Sequence, residues 1–220
     1  MKAKINGAPA FAYIDVDLDP GETIIAESDA MASMSSELEL VAKLNGGFLP
    51  AVSKKLLGGE SLFVNHFKNP TNASKRLTLV QKTPGDIRQV ELSGRSLCLQ
   101  PGAYIASTPG LDLGLRYAGI SSFIGREGLF KLEVSGSGTL WYGAYGGLVD
   151  RQIRGEYIVD SSHLVAYEPQ LKLRTQLAGG IFGSFFGGEG LVTRIEGEGM
   201  IVMQTRSLTG FASWLNPKIY

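Results

Sequence analysis

The chain has 220 residues, of which 44% are hydrophobic and 19% charged, and its 21 basic and 21 acidic side chains give a formal net charge of zero. This composition excludes a disordered chain, and the charge balance removes the electrostatic case for binding nucleic acid or an anionic membrane surface. One cysteine, Cys98, excludes an intramolecular disulfide and a cysteine-based metal cluster.

Alternation of apolar and polar residues dominates the chain from residue 10 onward. In the first run, 10–18, one face is apolar: Ala10, Ala12, Ile14, Val16 and Leu18. Similar short runs follow around 75–82 and 97–105, separated by Gly and Pro, which predicts an all-β fold. Helical periodicity is nearly absent; only 51–57 could form two turns of helix, and a loop is the alternative there.

Three turns punctuate these runs. Pro20-Gly21 and Pro84-Gly85 place Pro and Gly at the central positions of a type II turn, which requires a positive φ at the glycine. Gly155 stands in a comparable place without a proline. We expect strands after each turn, at Thr23–Glu27, 87–92 and 157–160.

The turns also begin a threefold internal repeat. Gly21, Gly85 and Gly155 are followed by a second landmark at Glu60, Glu127 and Glu189, in the same order and at similar spacing. Such self-similarity predicts three pseudo-repeated β units, at about 10–75, 76–146 and 147–210, within one compact region of residues 1–220. The alternative is three coincidental hairpins in one irregular sandwich.

Each predicted unit carries a Gly-rich insertion, at 43–59, 117–126 and 177–188. Insertions at equivalent positions of a repeat project from one face. Their phenylalanines are therefore the candidate partner-binding residues, with burial in the core or in a subunit interface as the alternative: Phe48, Phe123, Phe182, Phe185 and Phe186.

Hydrolytic chemistry needs a nucleophile, a base and an orienting group. Asp160, Ser161, Ser162 and His163 supply these residue types in sequence, but neighbours on a strand alternate between faces and do not make a triad. A strand end with turn-forming side chains is the favoured interpretation.

Metal binding needs three or four converging ligands, and the chain has only two histidines, His66 and His163. Asp15, Asp17 and Asp19 share one strand face, but they lack the glycine and distal glutamate of a calcium loop. A solvated, charged strand face is the favoured interpretation.

The Gly-rich stretches 136–138 and 143–147 lack the following helix and lysine of a phosphate-binding loop, so we interpret them as hairpin turns and bulges. Cys98 has no adjacent cation and is expected to be a packed, unreactive thiol. The residues therefore predict no catalytic, cofactor-binding or metal-binding site.

The chain resembles the bacterial members of the altered-inheritance-of-mitochondria family along nearly its whole length. The matching segments are PGETIIAESDAMASMS (20–35), LLGGESLFVNHF (56–67), TPGDIRQVEL (83–92), LQPGAYIAS (99–107), GREGLFKLEVSGSGTLW (125–141), GEYIVDSSHLVAY (155–167), GGEGLVTRIEGEGMIVMQTRS (187–207) and FASWL (211–215). The resemblance implies a fold like that of the tryptophan RNA-binding attenuation protein, a shortened double-stranded β-helix or sandwich. It also implies three such units per chain, packed as a trimer into a nine-unit ring, and it supplies no catalytic residues.

These observations predict a non-enzymatic scaffold that forms a ring-shaped homotrimer. We expect its Gly/Phe-rich insertions to contact a membrane surface, a membrane protein or another partner. A second hypothesis is a binding module that holds a small ligand or RNA between adjacent β units, although the zero net charge argues against nucleic acid. The N-terminus lacks a secretory signal, and the apolar stretch 177–187 is too short to span a bilayer, so we expect a cytoplasmic protein, peripheral to the inner membrane if the insertions contact it.

Overall fold

The structure is a computed structural model that describes residues 1–44, 63–100, 102–117, 130–177 and 191–219. In the first third of the chain the strands are β1 (Lys2–Asn6), β2 (Tyr13–Leu18), β3 (Thr23–Glu27), β4 (Met31–Met34), β5 (Glu39–Leu44), β6 (Phe63–Lys68) and β7 (Lys75–Val80). The next are β8 (Ile87–Ser93), β9 (Leu97–Leu99), β10 (Tyr104–Ser107), β11 (Leu111–Tyr117) and β12 (Phe130–Gly143). The last are β13 (Leu148–Asp160), β14 (Leu164–Tyr167), β15 (Lys172–Leu177) and β16 (Leu191–Gln204), followed by the helix α1 (Leu208–Ile219).

The predicted all-β fold is confirmed, and β2 shows why the alternation was informative. Ile14, Val16 and Leu18 are fully buried, whereas Asp15 and Asp17 lie partly exposed on the other face. Side chains of a strand alternate between its two faces, so this pattern buries one face of β2 against the core.

The long strand β12 organises the middle of the chain. Its first half, 130–136, pairs with β9 and β11, and its second half, 137–143, pairs with β8 and β10. Gly136 lies at the changeover with φ +107°, and a Cβ there would come within 2.5 Å of the Gly110 carbonyl oxygen. The stretch 136–138, for which a hairpin turn or a bulge was expected, is a bend inside a continuous strand and not a hairpin turn.

The last third is arranged in the same way around β16. Its first half pairs with β15 and with the end of β13, and its second half pairs with β14 and the beginning of β13. Gly155, expected in a turn, lies in the middle of β13 with φ +91°, directly opposite Gly197 with φ +127°. The expected turn is therefore wrong, because the two glycines let both strands bend together while their pairing continues.

In the first third, two separate strands stand where β12 and β16 are continuous. Strand β6 pairs with β3 and β5, and strand β7 pairs with β2 and β4. Each third of the chain therefore contains two three-stranded groups. One is centred on β6 or on the first half of β12 or β16, and the other is centred on β7 or on the second half of β12 or β16.

Two short strand pairings between different thirds of the chain, called seams from here on, connect these groups. Strand β10 pairs with β3, with Ala106 opposite Ala26, and strand β14 pairs with β9, with Ala166 opposite Leu99. The seams link twelve strands into one large antiparallel sheet, while β1, β2, β7 and β4 form a separate four-stranded sheet. The apolar faces enclose three hydrophobic clusters, each with residues from more than one third of the chain, and Trp141 and Tyr142 are among the largest buried side chains.

The helix α1 was missed by the sequence interpretation. Its N-terminus is capped by Ser207, whose Oγ accepts from the Gly210 amide at 3.0 Å. Gly210 and Pro217 inside the helix weaken its propensity, and none of its residues is buried within the described part of the chain, so no apolar stripe facing a core betrays it.

Candidate functional site at the open sheet edges

The predicted partner-binding phenylalanines, Phe48, Phe123, Phe182, Phe185 and Phe186, lie outside the described residues. The chain segments that hold them connect paired strands of one kind: β5 to β6, β11 to β12, and β15 to β16. Their roles remain predictions.

The turn at Pro20 has the geometry that its residues require. Gly21 has φ +80°, and the Glu22 amide donates to the Asp19 carbonyl at 3.1 Å. A second bond, from the Gly21 amide to the Asn69 carbonyl at 2.8 Å, holds the turn against the connection between β6 and β7.

The turn at Pro84 differs from the expectation. Gly85 does not have a positive φ, but a Cβ there would lie 1.9 Å from the Ala144 carbonyl oxygen and 2.6 Å from the Gly146 amide nitrogen. Glycine is required at this position because two connecting segments touch through their backbones, so the predicted reason was wrong.

The cluster at 160–163 is a capped turn. Asp160 Oδ1 accepts from the amide of Ser162 at 2.8 Å and from its hydroxyl at 2.7 Å, while His163 Nδ1 lies 2.7 Å from the Gln204 carbonyl. The Ser161 hydroxyl is buried 2.7 Å from that of Thr193. The serines and the histidine thus bond to different partners, and the geometry is not that of a triad.

Asp15 and Asp17 on β2 and Asp19 just after it also have separate partners; Asp19 pairs with the N-terminal amine of Met1 at 3.3 Å. Asp15 accepts from Asn6 at 3.0 Å and from Thr78 at 2.9 Å, and Asp17 pairs with Arg76 at 3.3 Å. Among the described residues there is no group of three or more His, Cys, Asp or Glu side chains that could hold a metal ion.

Cys98 is fully buried, and both of its neighbours on β9 also face apolar surroundings. The thiol lies in the third hydrophobic cluster, whereas Leu99 lies in the second. Strand β9 is therefore packed on both faces, because two clusters meet at the seam with β14.

The seam between β10 and β3 shows how completely such a junction is buried. All four residues of β10 are buried, and the Tyr104 hydroxyl donates to the Ile25 carbonyl at 3.1 Å and lies 2.9 Å from the Ser107 hydroxyl. Burial raises the pKa of Tyr104 far above its usual range, so this hydroxyl keeps its proton and remains a donor.

Strand β4 has an open edge. It pairs with β7, and no other described strand lies on its opposite side. Three of its four residues are exposed, and the exposed fraction of the Met31 side chain is 38%. The corresponding strands β10 and β14 are entirely buried. An unpaired strand edge is a template for another strand.

Another open edge, at the other end of the chain, is the last part of β13, residues 157–160. It pairs with β16 on one side, and no other described strand pairs with its opposite side. Tyr157 is 38% exposed and Ile158 is 53% exposed, while Val159 is buried. Charged pairs stand beside this edge, with Arg194 2.7 Å from Glu156 and Arg154 3.5 Å from Glu198.

The sequence interpretation did not single out either edge. A usable signal was present in 157–159, where three consecutive apolar residues break the alternation. Such a run is typical of a strand covered on both faces, yet Ile158 is the most exposed of the three.

No described helix is long and apolar enough to cross a membrane. A protein of Streptococcus pyogenes serotype M6, itself uncharacterised, is 28% identical, and the match covers 98% of this chain and 90% of the relative. The crystal structure of another Streptococcus pyogenes protein superimposes with a TM-score of 0.81 at 27% identity, covering 99% of both chains. The model of the family described as mitochondrial biogenesis AIM24 matches residues 3–206, and the chain therefore belongs to that family.

Proposed function

We propose that the chain is a subunit of a ring-shaped homotrimer that acts as a scaffold, and that the ring closes by pairing β13 of one copy with β4 of the next. The observation that carries this proposal is an imbalance in the seams. Two seams, β3 with β10 and β9 with β14, join the thirds of the chain. The corresponding strands near its two ends, β4 and residues 157–160 of β13, have no described partner on that side.

The strand pairing supports three equivalent units, β2–β7, β8–β12 and β13–β16. In each unit a four-residue strand, β4, β10 or β14, lies beside the second long strand position. All three skip one residue at the same place: between Met31 and Ser33, between Tyr104 and Ala106, and between Leu164 and Ala166. A shared irregularity of this kind argues that the three strands occupy equivalent positions.

This equivalence predicts the register of the missing seam. Ala26, Leu99 and Val159 lie opposite Asn65, Leu132 and Thr193, the third positions of β6, β12 and β16. In the two existing seams, Ala26 lies opposite Ala106 and Leu99 opposite Ala166. By the same register, Val159 of one copy lies opposite Ser33 of the next.

One residue earlier on β13, Ile158 would lie opposite Met34 of the next copy. The residues equivalent to Ile158 are Ile25 and Cys98, which are 9% and 0% exposed because a seam covers them. Ile158 itself is 53% exposed, and Met34 packs at the margin of the first cluster. Pairing would extend that cluster over Ile158 and bury both side chains, which favours association.

The two edges are different surfaces, so the contact is head-to-tail and must close to give a finite assembly. Three copies match the nine-unit ring that the family resemblance implies. We expect light scattering to give a mass of three times 23.6 kDa. A mass near 23.6 kDa at every concentration would overturn the ring.

Cysteines placed across the proposed seam test its register. Residues directly opposite on antiparallel strands have Cβ atoms about 4.5–5.5 Å apart, close enough for oxidation to link many such pairs. We expect the Ser33→Cys, Val159→Cys double variant to form interchain disulfides, whereas Leu40→Cys, Val159→Cys should not. A trimer that shows equal crosslinking in both variants would contradict the assigned register.

We further propose that the Gly/Phe-rich segments form the contact surface of the scaffold, with a lipid membrane as the occupant. Support comes from the chain connection, since the three segments join equivalent pairs of strands and a trimer would present nine of them. Many weak apolar contacts on one assembly reinforce one another through effective concentration.

Replacing Phe182, Phe185 and Phe186 by Ser is expected to abolish flotation with liposomes while leaving the trimer and its melting temperature unchanged. Each ring transferred from water contributes roughly 1.5–3 kcal/mol, so three replacements per chain remove most of the binding free energy. Leu208→Ser, another exposed apolar position, is the control. Dissociation into unfolded chains would place the rings in the core, and unchanged flotation would exclude the segment 182–186. Loss of a protein captured from lysate, without any flotation by the wild type, would favour a protein partner.

A further inference from the structure

We propose that α1 binds an anionic lipid surface, lying flat among the headgroups with its apolar side toward the acyl chains. This inference does not rest on the ring, because α1 takes no part in the strand pairing and presents the same surface in a single chain. It also differs from the proposed contact of the Gly/Phe-rich segments, because it requires negatively charged headgroups.

The apolar side chains of α1 lie on one side of the helix and remain exposed. Residues three or four positions apart share a helix face, so the apolar side runs along the whole helix. It consists of Leu208, Phe211, Trp214, Leu215 and Ile219. Leu215 is partly buried, and the exposed fraction of the other four runs from 44% for Phe211 to 61% for Ile219. An exposed apolar surface of this kind marks a site of interaction.

The opposite side of α1 is polar but uncharged. It carries Thr209, Gly210, Ser213 and Asn216, all of them exposed. A short helix that is exposed all round, with one apolar and one polar side, matches the two environments of a membrane surface, which is apolar below and wet above.

The charges around α1 determine the sign of the surface that it fits. From residue 199 to the end of the sequence there is no acidic side chain, whereas Arg206 precedes the helix and Lys218 lies in its last turn. Both cations are exposed, and neither pairs with a carboxylate of the described residues. Two unpaired cations beside an apolar side complement anionic headgroups, even though the whole chain has no net charge.

Trp214 and Lys218 are arranged as a pair suited to the headgroup region. Lys218 Nζ lies 4.6 Å from the centroid of the Trp214 ring and donates to the Trp214 carbonyl at 3.2 Å. At a membrane surface the indole occupies the level of the headgroups, and the lysine stem lies along apolar surface while its ammonium stays among the phosphates. An anionic membrane therefore satisfies the ring and the charge together, which an apolar protein groove would not.

The helix is formed and anchored before it meets a membrane. The Arg206 amide donates to the Tyr145 carbonyl at 3.2 Å, and the Phe211 ring meets the Tyr145 ring edge-on with centroids 6.3 Å apart. Phe211 also stacks on Trp214, with centroids 6.0 Å apart. Because the helix does not have to fold on binding, the burial of its apolar side contributes directly to the affinity.

Flotation of the full chain with two kinds of vesicle tests the requirement for charge. Zwitterionic phosphatidylcholine vesicles, on which the contact of the Gly/Phe-rich segments is measured, give the reference. We expect the partition coefficient to be about thirtyfold higher on vesicles that also contain phosphatidylserine, because two cations reach the surface. The Arg206→Gln, Lys218→Gln double variant should lose this preference and bind the zwitterionic vesicles as the wild type does.

The matched control removes two exposed cations elsewhere, through Lys2→Gln and Lys4→Gln on β1. It should keep the preference for phosphatidylserine. A wild type without any preference overturns the proposal, and so does an equal loss of preference in both double variants, because the charge that matters would then not lie at α1.

Fluorescence identifies the surface that meets the lipid. The chain has two tryptophans, and Trp141 is 1% exposed, so acrylamide quenching reports on Trp214. Phosphatidylserine vesicles should shift the emission to shorter wavelength and lower the quenching constant. Protein that floats with these vesicles while its emission and quenching stay unchanged would contradict the proposal. A shift that appears with rising protein concentration in the absence of lipid would assign this side of α1 to a second copy of the chain and overturn it as well.

The outcomes separate this contact from the other proposals. A chain that is monomeric at all concentrations but prefers phosphatidylserine through Arg206 and Lys218 refutes the ring and supports the contact of α1. Binding to phosphatidylserine vesicles without any flotation on zwitterionic ones refutes the lipid contact of the Gly/Phe-rich segments alone. A trimer that floats equally on both kinds of vesicle refutes the contact of α1 and leaves the ring intact.

Discussion

Replacing Ile158 by Asp is expected to convert the trimer into folded monomers. Ile158 is 53% exposed in the single chain, so the change removes little from the fold itself. In the proposed seam its burial contributes roughly 1.5–3 kcal/mol, and a buried, unpaired carboxylate costs several kcal/mol more. Together these effects weaken each junction by at least about a thousandfold, since 1.4 kcal/mol is a factor of ten. Light scattering measures the loss, and circular dichroism measures the retained β structure.

Leu40→Asp is the matched control, because Leu40 is 42% exposed on β5, which does not take part in a seam. We expect this variant to remain a trimer with an unchanged melting temperature. If Ile158→Asp stays trimeric, β13 is not the joining edge and the assignment of the seam is wrong. If both variants dissociate, the interface extends over β5 and the head-to-tail arrangement fails.

Replacing Gly85 by Ala is expected to cause the largest loss of stability among single changes at the turns. The new Cβ would stand 1.9 Å from the Ala144 carbonyl oxygen, and all three of its nearest atoms belong to the backbone. The two connections must separate, which disturbs the bonds from Asp86 to Gly146 and from Ala144 to Asp86. Overpacking of this kind costs about 3 kcal/mol or more, and for a chain of this size each kcal/mol lowers the melting temperature by about 2–4 °C.

Gly21→Ala is the control that separates crowding from backbone conformation. Gly21 has φ +80° with nothing within 4 Å of an added Cβ, so only the conformational cost applies, about 1–2 kcal/mol. Calorimetry should therefore rank Gly85→Ala as clearly more damaging than Gly21→Ala. Equal losses would show that the connections yield easily and that their close approach does not hold the units together.

The fold class could be predicted because alternation is a local property. In β2 the apolar residues Ile14, Val16 and Leu18 are buried as the period of two requires. Strand boundaries were recovered where a Pro-Gly turn precedes a strand, as before Thr23–Glu27. Boundaries were placed wrongly where a glycine bends a strand that continues, as at Gly155. A glycine with positive φ gives the same sequence signal in a turn and in a bent strand.

The candidate site was less accessible to sequence reasoning because an open edge is a relation between distant strands. Nothing local distinguishes Met31 in β4 from Tyr104 in β10, although one is 38% exposed and the other 3%. The difference arises from which strand lies alongside each of them, and that depends on the order of the sheet. The helix α1 was missed for a related reason, since its exposed apolar residues face no core of their own chain.

The unlike nature of the two edges has a consequence for mixed populations. In the proposed ring, a subunit with a damaged β13 edge would keep an intact β4 edge, so it could still add to the exposed β13 of a normal neighbour. Once added, it would leave no edge for the next subunit and would prevent the proposed ring from closing, so the defect would be dominant over the normal chain. In the proposed ring, a subunit damaged at β4 would rescue one damaged at β13 only pairwise, yielding an open dimer with one sound junction.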